Sequence, residues 1–129
     1  MEGPEIDRKY VELLVAVLLD KPNHAEARDW LAHGGPNVSR TLGRFPNGDL
    51  AMKTVNGLYA AGASSVIALD NYGDASTGEF CDRIAIQLPE APCLRQQIRD
   101  VCRQVVAAYQ GAFLPDSDFG EKCLYFLLA

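Results

Sequence analysis

Two short aliphatic segments separated by a polar stretch constrain this chain more than any other feature of its sequence. Residues 64–69, "SSVIAL", and residues 83–89, "RIAIQLP", contain β-branched residues, and the second segment alternates apolar and polar positions. Both patterns are typical of β-strands. The connection, residues 70–82, is "DNYGDASTGEFCD" and is rich in turn-forming residues. The sequence therefore predicts a β-hairpin whose loop is long, polar and solvated.

The acidity of this loop raises two alternatives, a metal site and a catalytic site. Its carboxylates are those of Asp70, Asp74, Glu79 and Asp82. Their spacing lacks the alternating acids and the glycine of a calcium-binding EF-hand, so we predict no metal ligands. Cys81 would need a base to act as a nucleophile, and both histidines, His24 and His33, lie in the N-terminal region. A small hydrolase-like enzyme that uses the loop carboxylates with Cys81 is an alternative, but we predict no catalytic residue.

The N-terminal region has the period of helices. One apolar stripe recurs at helical spacing: Tyr10, Leu13, Leu14, Val17 and Leu18. This stripe predicts a helix over residues 7–20, which Pro22 cannot continue. A second helix is predicted over residues 24–33, before the "GGP" of residues 34–36. Residues 1–36 are therefore expected to form a helical hairpin.

The turn within this hairpin resembles the junction between two tetratricopeptide repeats. Residues 14–32, "LVAVLLDKPNHAEARDWLA", share with such junctions an aliphatic helix end, an Asp, Pro and Asn in the turn, and an Ala-Glu-Ala start. A repeat array needs at least three units to bury its faces, and no second copy follows here. We therefore expect one helical hairpin that uses the same turn chemistry.

From residue 37 onward, strand-like and helix-like segments alternate. The predicted order is strand, helix, strand, strand, helix, strand, at residues 37–45, 50–61, 64–69, 83–89, 91–111 and 122–129. Gly62 follows the first of these helices, where a left-handed residue commonly ends a helix. The last segment, "KCLYFLLA", is apolar, which indicates a strand at the centre of a sheet or covered on both faces.

This element order resembles the ferredoxin-like fold, in which two βαβ units interleave. The resemblance implies an α+β domain with a four-stranded antiparallel sheet (βαββαβ) over residues 37–129 and both helices on one face. The helical hairpin of residues 1–36 would pack on an edge or on the open face, so that the chain forms one compact unit. An open sheet face in this fold usually serves a dimer partner, a ligand or RNA.

The charge balance argues against a nucleic-acid partner. The chain has 17 acidic and 12 basic residues and a net charge of −5, and residues 65–129 hold nine acids against five bases. Phosphate binding needs a dense basic surface, and the strand at residues 83–89 lacks aromatics that stack on RNA bases. The polar N-terminus lacks a secretory signal, and the apolar run of residues 10–19 is too short for a membrane span. We expect a soluble, cytoplasmic protein without nucleic-acid or membrane partners.

The cysteines indicate no cofactor. No pair has CxxC spacing among Cys81, Cys93, Cys102 and Cys123. The sequence therefore predicts neither a zinc site nor a redox dithiol, and no other cofactor motif is present. Cys102 and Cys123 lie in apolar segments, where cysteine acts as a small buried hydrophobe.

The turn from Arg44 to Asp49, "RFPNGD", is a candidate ligand site. It leads into a predicted helix, whose first amides can hold an anion, and Arg40 and Arg44 are close in sequence. Asn47 and Gly48 form the centre of the turn. Regulatory domains that resemble ACT modules bind small ligands near this strand–helix turn. The alternative is an ordinary turn capped by an Asn side chain.

A stripe of arginines on the last predicted helix is a candidate interaction surface. Arg95, Arg99 and Arg103 follow one another at intervals of four residues. They could contact an acidic partner, including the acidic loop of a second copy. The alternative is a solvated helix face on which Asp100 compensates part of the charge.

The leading functional hypothesis is a non-enzymatic binding or protein-interaction module that self-associates through its sheet face or its helical hairpin. It predicts an exposed apolar patch. One alternative is a sensor of a small anionic ligand at the Arg44–Asp49 turn. The other is the enzyme that uses the carboxylates of loop 70–82, which predicts an acid with a raised pKa in a cleft.

Overall fold

The structure is a computed structural model, and it describes residues 4–20, 24–32, 40–42, 48–69, 71–74, 78–109, 111–114, 120 and 122–128. Within these residues the chain forms four helices: α1 (Pro4–Leu19), α2 (Ala27–Ala32), α3 (Gly48–Ala60) and α4 (Pro92–Tyr109). It also forms eight strands: β1 (Ala25–Glu26), β2 (Arg40–Leu42), β3 (Ser65–Leu69), β4 (Tyr72–Asp74), β5 (Gly78–Cys81), β6 (Arg83–Gln87), β7 (Ala112–Leu114) and β8 (Cys123–Leu127).

Five of the described strands form an antiparallel sheet in the order β1-β3-β6-β8-β7. The predicted α+β class is therefore confirmed. β8 pairs with β6 on one side and with β7 on the other, and four of its residues, 123–126, are buried. The continuous apolar run of the last segment thus correctly predicts a strand inside a sheet.

The two faces of this sheet are covered by different helices. Even-numbered residues of β3, β6 and β8 point into the larger core, where α2, α3 and α4 pack: Val66, Ala68, Ile84, Ile86, Leu124 and Phe126. Odd-numbered residues point to the opposite face, where α1 packs: Ile67, Leu69, Ala85, Cys123, Tyr125 and Leu127. The alternation follows from the two-residue period of a strand, and covering both faces explains why these strands are apolar on both sides.

The N-terminal helices do not form the predicted hairpin over residues 1–36. α1 packs on one face of the sheet, whereas Ala27 and Trp30 of α2 are buried in the core on the other face. Between the two helices, β1 pairs with β3 at the edge of the described sheet, so the chain passes from one face to the other there. The predicted domain boundary at residues 36 and 37 lies outside the described residues.

β3, β4, β5 and β6 form one long hairpin that extends beyond the main sheet. Leu69 pairs with Arg83, and three residues further along both strands Tyr72 pairs with Phe80, so the register does not change. The predicted hairpin is confirmed. Its loop is shorter than predicted because strand pairing continues through much of residues 70–82.

The four-stranded ferredoxin-like arrangement is not confirmed. In an interleaved βαβ pair, the first strand would lie between the third and the last. Here β8 itself pairs with β6, so that position is occupied. β2 instead pairs in parallel with β5 in a second, three-stranded sheet of order β2-β5-β4, and Leu42 and Cys81 are fully buried there.

Gly62 ends α3 as predicted. Its φ is 116°, a left-handed conformation that glycine adopts without strain. The amide of Gly62 donates to Tyr59 O at 3.0 Å, and the amide of Ala63 donates to Leu58 O at 3.1 Å. These two bonds form a Schellman cap, which satisfies carbonyls at the helix end and directs the chain into β3.

Candidate functional site

The inner side of α1 anchors the helix to the sheet. Val11, Val15 and Leu18 are buried against a patch of the sheet that includes Ala85 and Tyr125. Burying each of these side chains contributes roughly 1.5–3 kcal/mol, enough to hold the helix in place.

The outer side of α1 has a second apolar stripe. We call this surface the α1 outer face and define it by five exposed residues: Lys9, Leu13, Ala16, Val17 and Asp20. At about 100° per residue, these positions fall within one third of the helix circumference, opposite Val11 and Leu18. Leu13 is 66% exposed and Val17 is 52% exposed.

The predicted helix is confirmed, but the apolar stripe that predicts it does not pack on the sheet as a unit, because Leu13 and Val17 are exposed. The helix also begins earlier than predicted, at Pro4, because proline is well tolerated in a first helical turn. Leucine and valine occur on several sides of α1, so two different stripes fit the helical period. Periodicity alone cannot tell which stripe packs on the sheet.

A cleft opens between the C-terminal half of α1 and the sheet. This sheet cleft has a volume of about 370 Å³. Its apolar lining comes from both layers: Val15, Leu19, Ile67, Ala85, Leu88 and Cys123. Its polar lining is exposed to solvent: Ser64, Gln87, Glu90 and Lys122. No pattern in the sequence indicates this cleft, because its lining comes from separate segments of the chain.

A groove of about 330 Å³ lies between α3 and α4. Lys53, Thr54 and Gly57 line it from α3, and Gln104 and Tyr109 line it from α4. It is a surface groove along two helices, whereas the sheet cleft reaches between two layers of the fold.

A polar cluster that sequence reasoning missed joins β1 to α3. The Tyr59 hydroxyl donates to Glu26 Oε2 at 2.5 Å and accepts the Val66 amide at 3.0 Å. The Arg28 guanidinium lies 3.9 Å from the centroid of the Tyr59 ring, and the Asp29 amide donates to Glu26 Oε1 at 2.9 Å. The members are spread over residues 26–66, and they are brought together by the pairing of β1 with β3 and by the packing of α2 on α3.

The electrostatics of this cluster favour a charged Glu26. Burial by itself would raise the pKa of this carboxyl, but the hydrogen bonds from Tyr59 and from two backbone amides, together with the Arg28 charge, lower the pKa below its usual value. Burial and the hydrogen bond to Glu26 raise the pKa of Tyr59, which therefore keeps its proton. The pair fixes a sheet edge and has no group poised to exchange a proton near neutral pH.

The residues of the predicted anion site are only partly described. Arg40 lies in β2, where its backbone pairs with Glu79, and Gly48 is the first residue of α3. Arg44 and Asn47 lie outside the described residues. The ligand site at this turn stays a prediction.

The predicted arginine stripe does not form one exposed surface. Arg95 is 8% exposed and Arg99 is 1% exposed, and Arg95 Nη1 donates to Pro89 O at 3.1 Å. Arg103 is exposed, and its Nη1 lies 3.2 Å from Asp100 Oδ1. Of the three, Arg103 alone is presented to solvent, and a contact with an acidic partner stays a prediction.

The thiol of Cys81 is unsuited to nucleophilic chemistry. Cys81 is fully buried, and burial raises its pKa to about 11, so the reactive thiolate is scarce near neutral pH. Its Sγ lies 2.9 Å from Arg83 O, at the junction of β5 and β6. Asp70 lies outside the described residues, so a carboxylate site there stays a prediction. In the part of the chain that the structure describes, no three His, Cys, Asp or Glu side chains are grouped as metal ligands.

None of the described helices is both long and apolar enough to cross a lipid bilayer. No protein-family model, curated protein or solved structure matches this chain.

Proposed function

We propose that this protein is a non-enzymatic interaction module that self-associates through the α1 outer face. The observation that carries this proposal is the exposed Leu13 and Val17 on a helix whose opposite side already covers the sheet. Two large apolar side chains one turn apart on a well-anchored helix form a small, rigid apolar patch. Such patches favour contact with another protein surface.

The charges at the two ends of this face favour a second copy of the chain as the partner. Lys9 lies at the N-terminal end of the face and Asp20 at the C-terminal end, with Ala16 near the middle. When two copies of α1 pack antiparallel about a twofold axis, Leu13 of one faces Val17 of the other, and Lys9 faces Asp20. The small side chain of Ala16 lets the helices approach closely, and antiparallel helix dipoles attract.

The expected dimer is weak. Burying four half-exposed side chains contributes roughly 4–8 kcal/mol, which is comparable to the 4–15 kcal/mol that association costs in lost freedom. Two exposed ion pairs add about 0.2–1 kcal/mol each. With the association cost at the low end of its range, the net gain is about 4–6 kcal/mol, which corresponds to a dissociation constant between about 40 µM and 1 mM.

Charge reversal tests this arrangement. Sedimentation equilibrium over a concentration series should show a monomer–dimer equilibrium for the native chain. Lys9→Glu alone and Asp20→Lys alone each create two like-charge contacts per dimer, so each should weaken association about 5–30-fold. The double variant Lys9→Glu/Asp20→Lys restores opposite charges across the interface and should recover most of the native affinity.

Lys53→Glu on the exposed side of α3 is the matched control, and it should leave association unchanged. Leu13→Ser should abolish the dimer without unfolding the chain, since Leu13 is already mostly exposed. A native chain that stays monomeric at millimolar concentration contradicts the proposal. So does a double charge reversal that fails to recover what the single reversals lose.

A further inference from the structure

The sheet cleft exists because α1 covers only part of the sheet face beneath it. Neighbouring residues on β3, β6 and β8 form rows across this face, and α1 covers two successive rows unequally. One row consists of Ile67, Ala85 and Tyr125, which are neighbours on β3, β6 and β8. The next row consists of Ser65, Gln87 and Cys123 on the same strands. α1 packs over the first row and over Cys123 of the second row, whereas Gln87 stays exposed at the open end of the cleft.

Small side chains give the cleft its depth. Ala85 and Cys123 lie on adjacent strands in the floor, and they are 1% and 9% exposed. Val15 and Leu19 of α1, together with Ile67 and Leu88, complete the apolar lining. A larger side chain at either floor position would fill space that is now empty.

The floor is neutral as well as apolar. Burial raises the pKa of the Cys123 thiol, and the nearby Glu12 carboxylate acts in the same direction, so the thiol stays protonated. An ion entering the cleft would therefore lose hydration without gaining an opposite charge at the floor.

The open end is rigid and can form hydrogen bonds. The Ser64 amide donates to Gln87 O at 2.9 Å, and the Leu88 amide donates to Lys122 O at 2.8 Å, which join the three strands at this end. The Ser65 hydroxyl donates to Gln87 Oε1 at 2.8 Å, and this bond joins the Gln87 side chain at the rim to β3. Glu90 and Lys122 carry opposite charges there, so the rim has no net preference for an anion or a cation.

We propose that the sheet cleft binds a small, uncharged, mostly apolar molecule whose apolar body lies under α1 and whose hydrogen-bonding group meets the rim at Gln87. The volume of about 370 Å³ falls in the range of small-molecule sites, about 300–1,000 Å³. It is more than twice the ~150 Å³ cavity that accepts a benzene ring in an engineered protein, so it suits a molecule of one to three rings or a short alkyl chain. This site is on the inner side of α1 and is independent of the outer face.

Titration with N-phenyl-1-naphthylamine tests the proposal, because this neutral probe becomes fluorescent in apolar surroundings. The full chain should show saturable binding of about one molecule per chain. Cys123→Met places two more heavy atoms in the floor of the cleft and should weaken binding about tenfold or more. Gly57→Met is the matched control, since it places the same side chain in the α3–α4 groove, where a Cβ would meet nothing within 4 Å.

Amide chemical-shift mapping of the native chain locates the bound probe without any substitution. The shifts should change at Ile67, Ala85 and Cys123 and should not change at Gly57 and Gln104, which line the α3–α4 groove. The proposal is overturned if binding of the probe is not saturable. It is also overturned if the Cys123→Met variant keeps the native fold and binds the probe as well as the unmodified chain does. If the Cys123→Met variant does not fold, the chemical-shift map alone tests where the probe binds. Shift changes centred on the α3–α4 groove would then overturn the proposal.

Discussion

Gly111 shows how one residue controls the β7 edge of the main sheet. Its φ is 109°, a region that side chains with a Cβ rarely adopt. A Cβ at this position would also lie 2.5 Å from Leu127 O, which is too close for a real contact. The backbones of β7 and β8 meet here at the start of their pairing, since Ala112 pairs with Leu127.

We expect Gly111→Ala to destabilise the protein by about 2–4 kcal/mol, because strain and a backbone clash add. The measurement is urea unfolding followed by circular dichroism. Gly120→Ala is the matched control: its φ is also positive, at 80°, but a Cβ there meets nothing within 4 Å. It should cost only the strain, about 1–2 kcal/mol. Equal costs for the two variants would show that the close approach at Leu127 does not matter.

The two glycines Gly62 and Gly111 also show what a sequence can reveal at this scale. Gly62 is predictable because it follows a clear helical period and the cap is local. Glycine is required at position 111 because β8, at residues 123–127, lies beside it. No sequence pattern around Gly111 reveals this requirement.

At the scale of elements, the Glu26–Tyr59 hydrogen bond attaches the edge strand β1 to α3. Because the pKa of Glu26 is lowered in the folded chain, its charge stabilises the fold above the unfolded pKa, near 4.5. That contribution is lost as the pH falls through the lower, folded pKa.

Tyr59→Phe should therefore cost more stability at neutral pH than in acid. We expect a loss of about 1–2 kcal/mol near pH 7, which includes a lost bond to the Val66 amide, and a smaller loss near pH 3.5. The free energy of unfolding in urea at several pH values measures the difference. In a Glu26→Gln background the cost of Tyr59→Phe should no longer depend on pH. A pH-dependent cost that persists in that background would assign the titration to another group.

The elements themselves divide into those that local patterns predict and those that long-range pairing decides. α3, α4 and the long hairpin follow from periodicity and turn residues, as predicted. The position of β2 does not, because three residues carry little pairing preference and β8 occupies the place beside β6. The outer stripe of α1 is visible in the sequence, but only the packed sheet shows that it faces solvent.

At the scale of the whole molecule, the reactivity of the cysteine thiols measures how tightly the helices pack on the sheets. Cys93 is exposed, whereas Cys81, Cys102 and Cys123 are buried. Burial raises the pKa of Cys81 to about 11 and that of Cys102 to about 12. They lie in different parts of the core, so their reactivity tests the packing of the main and second sheets together.

We expect a maleimide reagent to label Cys93 rapidly in the native chain and the other three thiols slowly. Raising a thiol pKa from 9 to 11 lowers its thiolate fraction about a hundredfold, and burial limits access further. Mass spectrometry of timed samples measures each rate, and all four thiols should react in denaturant. Fast native labelling of Cys81 or Cys102 would contradict the buried positions described above.

The packing of α1 against β8 links the beginning of this chain to its end. About a hundred residues separate Leu19 from Cys123. At a synthesis rate of roughly 5–20 residues per second, α1 leaves the ribosome about 5–20 seconds before β8 exists. During that interval both apolar sides of α1 face solvent or a chaperone, because the sheet that receives Val11, Val15 and Leu18 is incomplete. The growing chain is therefore most prone to aggregate before β8 has been synthesised, and the docking of α1 is a late step of its folding.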